Sequence, residues 1–411
     1  MNEKSSSLKK SLMAIAIGCA ATFAMVSPST VLAEEAQSVV FVGNNWDGTV
    51  NVFNDKTYSK VGLINVVPDK RERMRAIVLN PVKLVAFQAV RNLIGEGHDQ
   101  LVDDMYSSND GKLLIASRPS FADVVAIDIA SGKIVWRFEV EGYRADHMGL
   151  SPDGTKVAVS ASTGNVVHIL DINTGKQVGK FASGNSPHEN VYSKDGSKIY
   201  HASIGYVFTP LDPYFFDWTK GERVFQVVDT NNYQVIKKFN MADKLKAAGF
   251  KNLSPAVRPM AHTPDEKFFY FQLSFLHGFV EYDMVNDKVT RLAKLPNLVP
   301  NMPLEQYVND SAHHGISMNG AGTKLCVAGT MDDYVAIVDR ANFNYQILKG
   351  LGKKPYWVTS NKTGDLCYVS WSGTDQMSVI AYDTGKEVAR VNVGSHPQRI
   401  REGYAPANWM N

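Results

Sequence analysis

Short apolar strands that end in polar turns recur along most of the chain. Residues 143–162 show the unit: the polar pair Asp146 and His147 opens an apolar strand, a Ser-Pro-Asp-Gly turn follows, and a second strand comes after it. Val, Ile and Tyr alternate with polar residues in these strands, and Asn, Asp and Gly fill the turns. This pattern predicts β-hairpins.

The unit returns about every 42 residues, with two longer gaps. An anchor Ser or Thr precedes each turn, at Ser108, Ser151, Ser193, Thr263, Ser317 and Ser360. After the turn come a second strand, a third strand that ends in a polar turn, and a fourth strand. A period near 42 residues with four strands per repeat is typical of a β-propeller blade.

The two ends of the chain complete the count of blades. Residues 37–67 hold three strands without a first strand, and residues 394–404 resemble a first strand with nothing after it. Joining the two ends makes a seventh blade and removes the free edges that an open sheet would expose. The sequence therefore predicts an all-β, seven-bladed β-propeller over residues 37–411, closed by N- and C-terminal strands in one blade.

The N-terminus differs from the repeats and predicts export. Lys4, Lys9 and Lys10 precede an apolar run over residues 12–26, and small residues end at Ala33. This arrangement predicts a signal peptide over residues 1–33 and a periplasmic or secreted protein, because the apolar run is short for a membrane span. Two alternatives stay open, a retained membrane anchor and a lipoprotein attached at Cys19.

Charge and cysteine content bear on partners and on redox state. Without residues 1–33 the chain has equal numbers of basic and acidic residues, which argues against nucleic acid or an anionic membrane as the main partner.

Cys326 and Cys367 occupy matching second strands of consecutive repeats. Equivalent positions point the same way in each blade, and facing sheets lie about 10 Å apart. We therefore expect buried thiols, although an exported protein would permit a disulfide.

The repeats resemble those of a known family. LSPDGTKVAVS and GNVVHILDINTGKQVGKF resemble the repeat of exported YVTN-repeat (YncE-like) propellers, and the likeness covers nearly the whole chain after the predicted signal peptide. More distant relatives by fold include the propeller subunit of quinohemoprotein amine dehydrogenases, the haem d1 domain of nitrite reductase and the copper propeller of nitrous oxide reductase. The chain contains no CxxCH motif, so we expect no covalently attached c-type haem.

Four insertions interrupt the repeat, at residues 69–98, 205–222, 242–255 and 298–308. In a propeller, the connections between blades emerge on the same face as those between second and third strands. All four insertions therefore fall on one predicted face, and loops on a rigid scaffold commonly carry binding sites. Residues 81–94 can form an amphipathic helix. The second insertion is rich in aromatic residues.

The openings of the innermost strands carry the candidate chemistry, because equivalent positions form a ring around the propeller axis. Four residues before each anchor stand Asp104, His147, Glu189, Pro259, His313 and Tyr356. One residue earlier stand Asp103, Asp146, His188, Arg258, Ala312 and Pro355, and the C-terminal strand adds His396 and Arg399. The ring therefore predicts a cluster of imidazole and carboxylate groups.

Imidazole with carboxylate suits Zn, Mn or Fe(II), whereas an all-imidazole ring suits Cu. Our first hypothesis is a divalent metal held by His147, His313 and one carboxylate, from Asp104 or Glu189. A one-residue change of register would bring in His188 or His314 instead. Arg258 and Arg399 are the candidates for neutralising an anionic substrate, with Tyr356 beside the axis. A polar pocket without metal and a solvated channel remain alternatives.

The sequence is compatible with two functions. The first is a metal-dependent enzyme that acts on a small, anionic substrate, with hydrolysis, elimination and oxidation all open as its reaction. The second is a non-catalytic binding module or a propeller subunit of a periplasmic redox complex, as the amine dehydrogenase resemblance implies. The expected partner is accordingly a small-molecule ligand or a periplasmic protein.

Overall fold

A computed structural model describes residues 36–207 and 214–410 of the chain. The predicted signal peptide lies outside the described residues, as does part of the second insertion. The described residues all belong to one compact unit, residues 35–411.

Seven antiparallel sheets of four strands each make up the described part of the chain. The N-terminal strands are β1 (Ala36–Asn44), β2 (Thr49–Asn54) and β3 (Lys60–Asn65). Blade one has β4 (Met105–Ser107), β5 (Leu113–Arg118), β6 (Asp123–Asp128) and β7 (Ile134–Glu139), and blade two has β8 (Ala145–Leu150), β9 (Lys156–Ala161), β10 (Val166–Asp171) and β11 (Gln177–Ala182). Blade three has β12 (Pro187–Tyr192), β13 (Lys198–Ser203), β14 (Phe225–Asp229) and β15 (Gln234–Phe239).

The second half of the chain repeats this order. Blade four has β16 (Val257–His262), β17 (Phe268–Leu273), β18 (Gly278–Asp283) and β19 (Lys288–Lys294), and blade five has β20 (Ile316–Met318), β21 (Lys324–Gly329), β22 (Tyr334–Asp339) and β23 (Tyr345–Lys349). Blade six has β24 (Pro355–Ser360), β25 (Leu366–Trp371), β26 (Gln376–Ala381) and β27 (Lys386–Asn392), and the last strand is β28 (Pro397–Pro406).

The chain ends share blade seven, whose strand order is β28-β1-β2-β3. Val40 of β1 lies opposite Glu402 of β28 in an antiparallel pair. The all-β, seven-bladed propeller and its closure by both ends are confirmed. The middle strands of each blade are buried on both sides, because the neighbouring blades cover both faces of each sheet.

The anchor side chain closes the turn after each innermost strand. In blade two, the hydroxyl oxygen of Ser151 accepts a hydrogen bond from the backbone N–H of Lys156, at 2.9 Å. In blades five and six an asparagine does the same: Asn319 accepts from Lys324 and Asn361 accepts from Leu366, both at 2.9 Å. The assignment of Ser317 and Ser360 as anchors was therefore wrong, since an amide oxygen replaces the expected hydroxyl.

This shift of register explains a disulfide that the sequence analysis did not expect. Cys326 comes two residues after Lys324, whereas Cys367 comes one residue after the equivalent Leu366. The two cysteines therefore differ by one repeat position, and successive strand residues point to opposite faces of a sheet. Each cysteine faces the other blade, and the two form a disulfide with their Cα atoms 6.5 Å apart. The prediction of buried free thiols was wrong.

The first insertion folds into helices. They are α1 (Lys70–Val78), α2 (Pro81–Ala89) and a π-helical turn, Val90–Ile94, and we call residues 69–98 the lid. Asn80 caps α2 through its side chain, which accepts from the N–H groups of Val82 and Lys83, and Pro81 occupies the first turn. The predicted helix over residues 81–94 is confirmed.

Ion pairs attach the lid to blade one. Arg73 of α1 bonds to Glu139 of β7 at 2.7 Å, and Asp69, just before α1, pairs with the buried Arg118 of β5. The third helix, α3 (Met241–Ala247), belongs to the third insertion. No single helix in the described ranges is long and apolar enough to cross a membrane; α1 passes that test only together with residues 81–94, as a pair bent by 114°.

Candidate functional site

Irregular openings of the innermost strands turn polar side chains toward one place. The pairing of β8 with β9 shifts register between Ala145 and Met148, and the pairing of β12 with β13 shifts between Pro187 and Asn190. A bulge places extra residues on one strand and redirects their side chains. The residues inside these two shifts are the pairs Asp146–His147 and His188–Glu189.

In blade five a glycine performs the equivalent task. Gly315 follows His314 with a φ of 138°, which favours glycine, and a Cβ atom there would lie 3.0 Å from the backbone N of Val358. Its N–H donates to the side-chain oxygen of Gln272, at 2.6 Å. These constraints fix the backbone beside His314 at the start of the innermost strand.

Three buried histidines from blades two, three and five meet at this place. One nitrogen each of His147, His188 and His314 lies within 4.8 Å of the other two. The ring centroids of His147 and His188 are 3.8 Å apart, and that of His314 lies 6.0 Å from His147 and 5.5 Å from His188. This set can hold a metal ion.

Hydrogen bonds orient two of the three rings. His147 donates from Nδ1 to the carboxylate of Glu189, at 3.1 Å, and His314 donates from Nδ1 to the backbone oxygen of Tyr356, at 3.3 Å. With the proton on Nδ1, the Nε2 atom keeps the lone pair that a metal needs. His188 has a buried Nδ1 without a hydrogen-bond partner in the described part of the chain.

Burial keeps these imidazoles neutral. Burial, reinforced by Arg399, lowers the pKa of His147 well below its ordinary value, and burial with His147 and His314 nearby does the same to the pKa of His188. Burial and then the charges of two arginines lower the pKa of His314 to about 3. A neutral imidazole is the form that ligates a metal.

Two carboxylates lie beside the same His147 and form a second group of close ligand atoms with it. Oδ2 of Asp103 and Oδ1 of Asp146 each lie 3.6 Å from Nε2 of His147. Both oxygens are buried, and neither has a hydrogen-bond partner among the described residues. Burial and the nearby Asp146 raise the pKa of Asp103 to about 8. Unpartnered buried carboxylate oxygens are costly, and a bound cation satisfies them.

The cluster lies in the wall of a cavity of about 350 Å³. Its polar side includes Asp103, Arg144, Asp146, His147, His188, Arg258 and His314. The lid contributes an apolar side, and Ile204, Tyr206 and Val207 come from the start of the second insertion and the strand end before it. A cavity of this size that combines apolar walls with a few polar groups is typical of a small-molecule site.

Arg258 is a cavity residue without an acidic partner. Its Nε donates to the hydroxyl of Ser274 at 2.8 Å, and its Nη2 donates to the backbone oxygen of Asn309. No carboxylate oxygen of the described residues lies within 4.0 Å of its guanidinium nitrogens, although its side chain is buried. Such a fixed, unpaired guanidinium is suited to binding an anionic group.

Other predicted site residues lie around the cluster rather than in it. Asp104 receives two bonds from Arg401, at 2.8 and 2.9 Å. Glu189 accepts from His147 and, at 3.0 Å, from Arg399, whose guanidinium also stacks 3.2 Å from the ring centre of Trp357. These contacts make Glu189 an orienting partner of His147. Arg399 lies behind it and is not among the residues that line the cavity.

His313 belongs to a second group, so the proposed pairing of His147 with His313 is not what the structure shows. His313 bonds through Nε2 to Asp332, at 3.0 Å, and His277 bonds to the same carboxylate oxygen at 2.6 Å. His277 also bonds to Tyr307 at 2.9 Å. These atoms lie close enough for a metal, but the carboxylate of Asp332 already bonds to both rings. Nδ1 of His313 is buried without a hydrogen-bond partner within the described ranges. Moving the blade-five anchor to Asn319 makes His314, not His313, the equivalent of His188.

Tyr356 lines the cavity as the ring position predicted. Burial raises the pKa of Tyr356 to about 12, although a hydrogen bond with Asn309 and the charge of Arg258 act in the opposite direction. The phenol is therefore protonated at neutral pH and available as a hydrogen-bond donor. Its catalytic role, like those of Arg258 and Arg399, stays a prediction.

Sequence reasoning missed two features of this site. It placed Asp103 and Asp146 in the ring without choosing them as ligands, and it did not assign the lid to the cavity wall. The sequence did carry a signal for the role of the lid. Its cavity-lining residues recur at steps of three and four residues: Ala86, Ala89, Val90, Leu93 and Ile94. That spacing places them on one face of a helix.

Comparisons with known proteins add the fold alone. No family model and no curated protein matches the chain. Among solved structures, the chain is similar to "Kuenenia stuttgartiensis Hydrazine Synthase", with a TM-score of 0.55 and 16% identity over 71% of this chain and 86% of that chain. The likeness of the repeats to the YVTN-repeat family therefore stays a prediction.

Proposed function

We propose that this protein is an exported, metal-dependent enzyme that acts on a small anionic substrate in the cavity beneath the lid. One observation carries the proposal: buried imidazole nitrogens from three blades converge beside two carboxylate oxygens that have no hydrogen-bond partner in the described ranges of the chain. Structural histidines normally satisfy their neighbours within the protein, as His277 and His313 do with Asp332. Here Oδ2 of Asp103, Oδ1 of Asp146 and Nδ1 of His188 are buried without a hydrogen-bond partner among the residues that the structure describes, and such atoms call for a ligand that satisfies them.

The residues that would hold the metal are His147, His188 and His314. Asp103 and Asp146 form a second group with His147 and would supply negative charge beside the ion. A divalent Zn, Mn, Fe or Cu ion bound there would polarise a substrate oxygen or activate a water molecule. Glu189 orients the ring of His147, and carboxylate partners of this kind fix the ligand geometry of metal-bound histidines.

Arg258 is the residue that we assign to the anionic group of the substrate. Its guanidinium lines the same cavity as the three histidines, and no carboxylate of the described residues lies within 4.0 Å of it. Among the described residues that line the cavity, the charged groups are the guanidinium groups of Arg144 and Arg258 and the carboxylates of Asp103 and Asp146. A bound divalent cation would therefore make this set net positive, so the pocket would attract an anion. The protonated hydroxyl of Tyr356 is a further donor for that group.

The proposed location is the periplasm or the extracellular space. The predicted signal peptide supports it, and the disulfide between Cys326 and Cys367 supports it independently, since structural disulfides persist in oxidising compartments. Both cysteines are fully buried.

Metal analysis tests the proposal. The purified protein would be stripped with a chelator, reloaded separately with Zn²⁺, Mn²⁺, Fe²⁺ and Cu²⁺, and analysed for bound metal. We expect about one ion per chain, lost in His188→Ala and His314→Ala and retained in His262→Gln, a control at a half-buried histidine outside the cluster. Circular dichroism would confirm that each variant is folded. A wild-type protein that binds none of these ions would overturn the proposal.

A second candidate function is a docking subunit of a periplasmic redox complex. The second insertion exposes large aromatic side chains: Phe215 is 67%, Phe216 45% and Trp218 77% exposed. Exposed aromatic groups of this kind are typical of protein interfaces. Phe215→Ser and Trp218→Ser, made together, would remove a co-purifying partner if this function is correct, and would leave metal content and activity unchanged if it is not.

A further inference from the structure

The cavity has two chemically different sides, and both are built from residues with fixed positions. The polar side carries the histidine cluster and Arg258. The lid supplies most of the apolar side through Ala86, Ala89, Val90, Leu93 and Ile94. A ligand that fills the cavity must therefore place a polar group at one side and an apolar body at the other.

The backbone of the lid explains how it presents this apolar side. The helix that begins at Pro81 ends in a π-helical turn, Val90–Ile94, and three residues of this turn line the cavity. π-helical turns are rare and occur frequently at functional sites. By contrast, the end of α1 exposes Val78 and Leu79, which do not line the cavity.

Asn309 contacts both the polar side and the apolar side of the cavity. The backbone oxygen of Asn309 accepts from Arg258, and the side-chain amide of Asn309 donates to the backbone oxygen of Ile94, at 3.3 Å. Asn309 has a φ of 48°, and Asp310 follows with 62°. Two consecutive non-glycine residues with left-handed backbone cost energy that the surrounding contacts must offset. The guanidinium and the lid are thus held next to each other.

We infer that the ligand of this cavity is a small amphiphilic anion, a carboxylate-type head group bound at Arg258 and the histidine cluster with an apolar body packed against the lid. This inference rests on the proposed function for the site and adds the substrate class. A purely polar anion would leave the apolar wall of the lid against water, and an uncharged apolar molecule would leave the buried charge of Arg258 without an anionic partner. An amphiphilic cation would meet the guanidinium directly.

Straight-chain carboxylates from butanoate to octanoate are suitable probes, with alcohols and primary amines of the same lengths beside them. Their dissociation constants would be measured by calorimetry on protein loaded with Zn²⁺ and on metal-stripped protein. We expect the affinity of the carboxylates to rise about 4-fold for each added CH₂ until the cavity is full. Octanoate should bind at least about 10-fold more tightly than octanol, through a charge-assisted hydrogen bond, and octylamine should bind more weakly than either.

Two variants and a matched control separate the two sides. In metal-stripped protein, Arg258→Gln should remove the advantage of octanoate over octanol. Leu93→Ser should weaken octanoate about 10-fold and leave butanoate nearly unchanged. Leu79→Ser, on the same lid but 72% exposed, is the control and should match the wild type. Circular dichroism would show that all three fold.

The two proposals fail in distinguishable ways. If the protein binds metal but the affinity does not depend on chain length, or if amines bind as well as carboxylates, the amphiphilic ligand is wrong and the metal site stands. If no metal binds but the chain-length series holds in metal-free protein, the ligand class stands and the metal-dependent enzyme is wrong.

Discussion

His147 and Glu189 form a hydrogen-bonded pair across two blades, with 3.1 Å between Nδ1 of the imidazole and the carboxylate. Glu189 also receives a bond from Arg399, so both partners of the carboxylate hold it in place. The pair leaves Nε2 of His147 facing Asp103 and Asp146. An arrangement of carboxylate, histidine and open cavity is typical of metal ligands.

Glu189→Gln should therefore lower metal affinity about 10- to 100-fold, because it removes the negative charge that strengthens and orients the histidine ligand. Competition with a chelator of known affinity measures this change. Glu266→Gln is the matched control, since Glu266 accepts its hydrogen bonds from Lys194 and Tyr200, which are not cavity residues. Equal metal affinities in the Glu189 variant and the wild type would contradict the assigned role.

Adjacent histidines should respond in opposite ways. His314→Ala should abolish metal binding, because the ring belongs to the candidate cluster. His313→Ala should keep the metal but lower the free energy of unfolding by about 1–3 kcal/mol, because it removes a hydrogen bond to the buried Asp332. Metal analysis and urea unfolding of both variants check this. If His313→Ala alone loses the metal, the register of blade five that the structure shows is contradicted.

The disulfide should contribute strongly to stability. Cys326 and Cys367 are separated by 41 residues, and closing a loop of this length stabilises a folded protein by about 4 kcal/mol in the chain-entropy model. Replacing both residues by alanine should lower the free energy of unfolding by about 2–4 kcal/mol. Urea unfolding with and without a reductant measures it, and the reductant should not affect the double variant. Thiols that react in urea without a reductant would contradict the disulfide.

The attachment of the lid should depend on pH. The hydrogen bond from Arg73 lowers the pKa of Glu139 below its ordinary value of 4.5, and the charges of Arg73 and Lys83 add to this while burial opposes it. A carboxyl group with a lowered pKa stabilises the fold above its ordinary pKa and loses that contribution as the pH falls through the lowered value. The lid should therefore be held least firmly in acid.

Glu139→Gln tests this pH dependence. At neutral pH the variant should be about 0.5–1 kcal/mol less stable than the wild type, a small value because the Glu139 side chain is 53% exposed. The difference should shrink in acid as Glu139 becomes protonated in the wild type. Urea midpoints measured across the acidic range check the trend. Glu305→Gln, at a carboxylate outside the lid with no ion pair among the described residues, should show no such effect. A difference that grows in acid would contradict the ion pair.

The sequence analysis misplaced the anchors of blades five and six by one or two residues. These errors of register decided which of the predicted site residues agreed with the structure. The ring of the innermost strands correctly drew attention to His147, His188 and His314, but the anchor at Ser317 selected His313. An asparagine can close the turn as a serine does, so the hydroxyl signal failed in blades five and six. The same error hid the disulfide, because a shift of one residue turns a strand side chain to the other face of its sheet.

Other features of the site depend on groups that no local pattern specifies. The bulge in β8 brings the consecutive residues Asp146 and His147 to the cavity, and the bulge in β12 brings His188 there. The hydrogen bond from His147 to Glu189 decides that Nε2 of His147 is the nitrogen that can ligate. The lid residues were readable as an amphipathic face. Only the tertiary structure places this face in the cavity wall, with Ile94 bonded to Asn309.

By itself the sequence determined the seven-bladed propeller and its closure, because each blade is built from strands that are neighbours in the chain and the alternation of side chains is a local signal. Only the tertiary structure decided which histidines meet, that the two cysteines face each other, and that the lid and Arg258 share one cavity. These relations join residues of different blades, and their distances depend on strand register and packing to within one residue, which a pattern of apolar and polar positions does not fix.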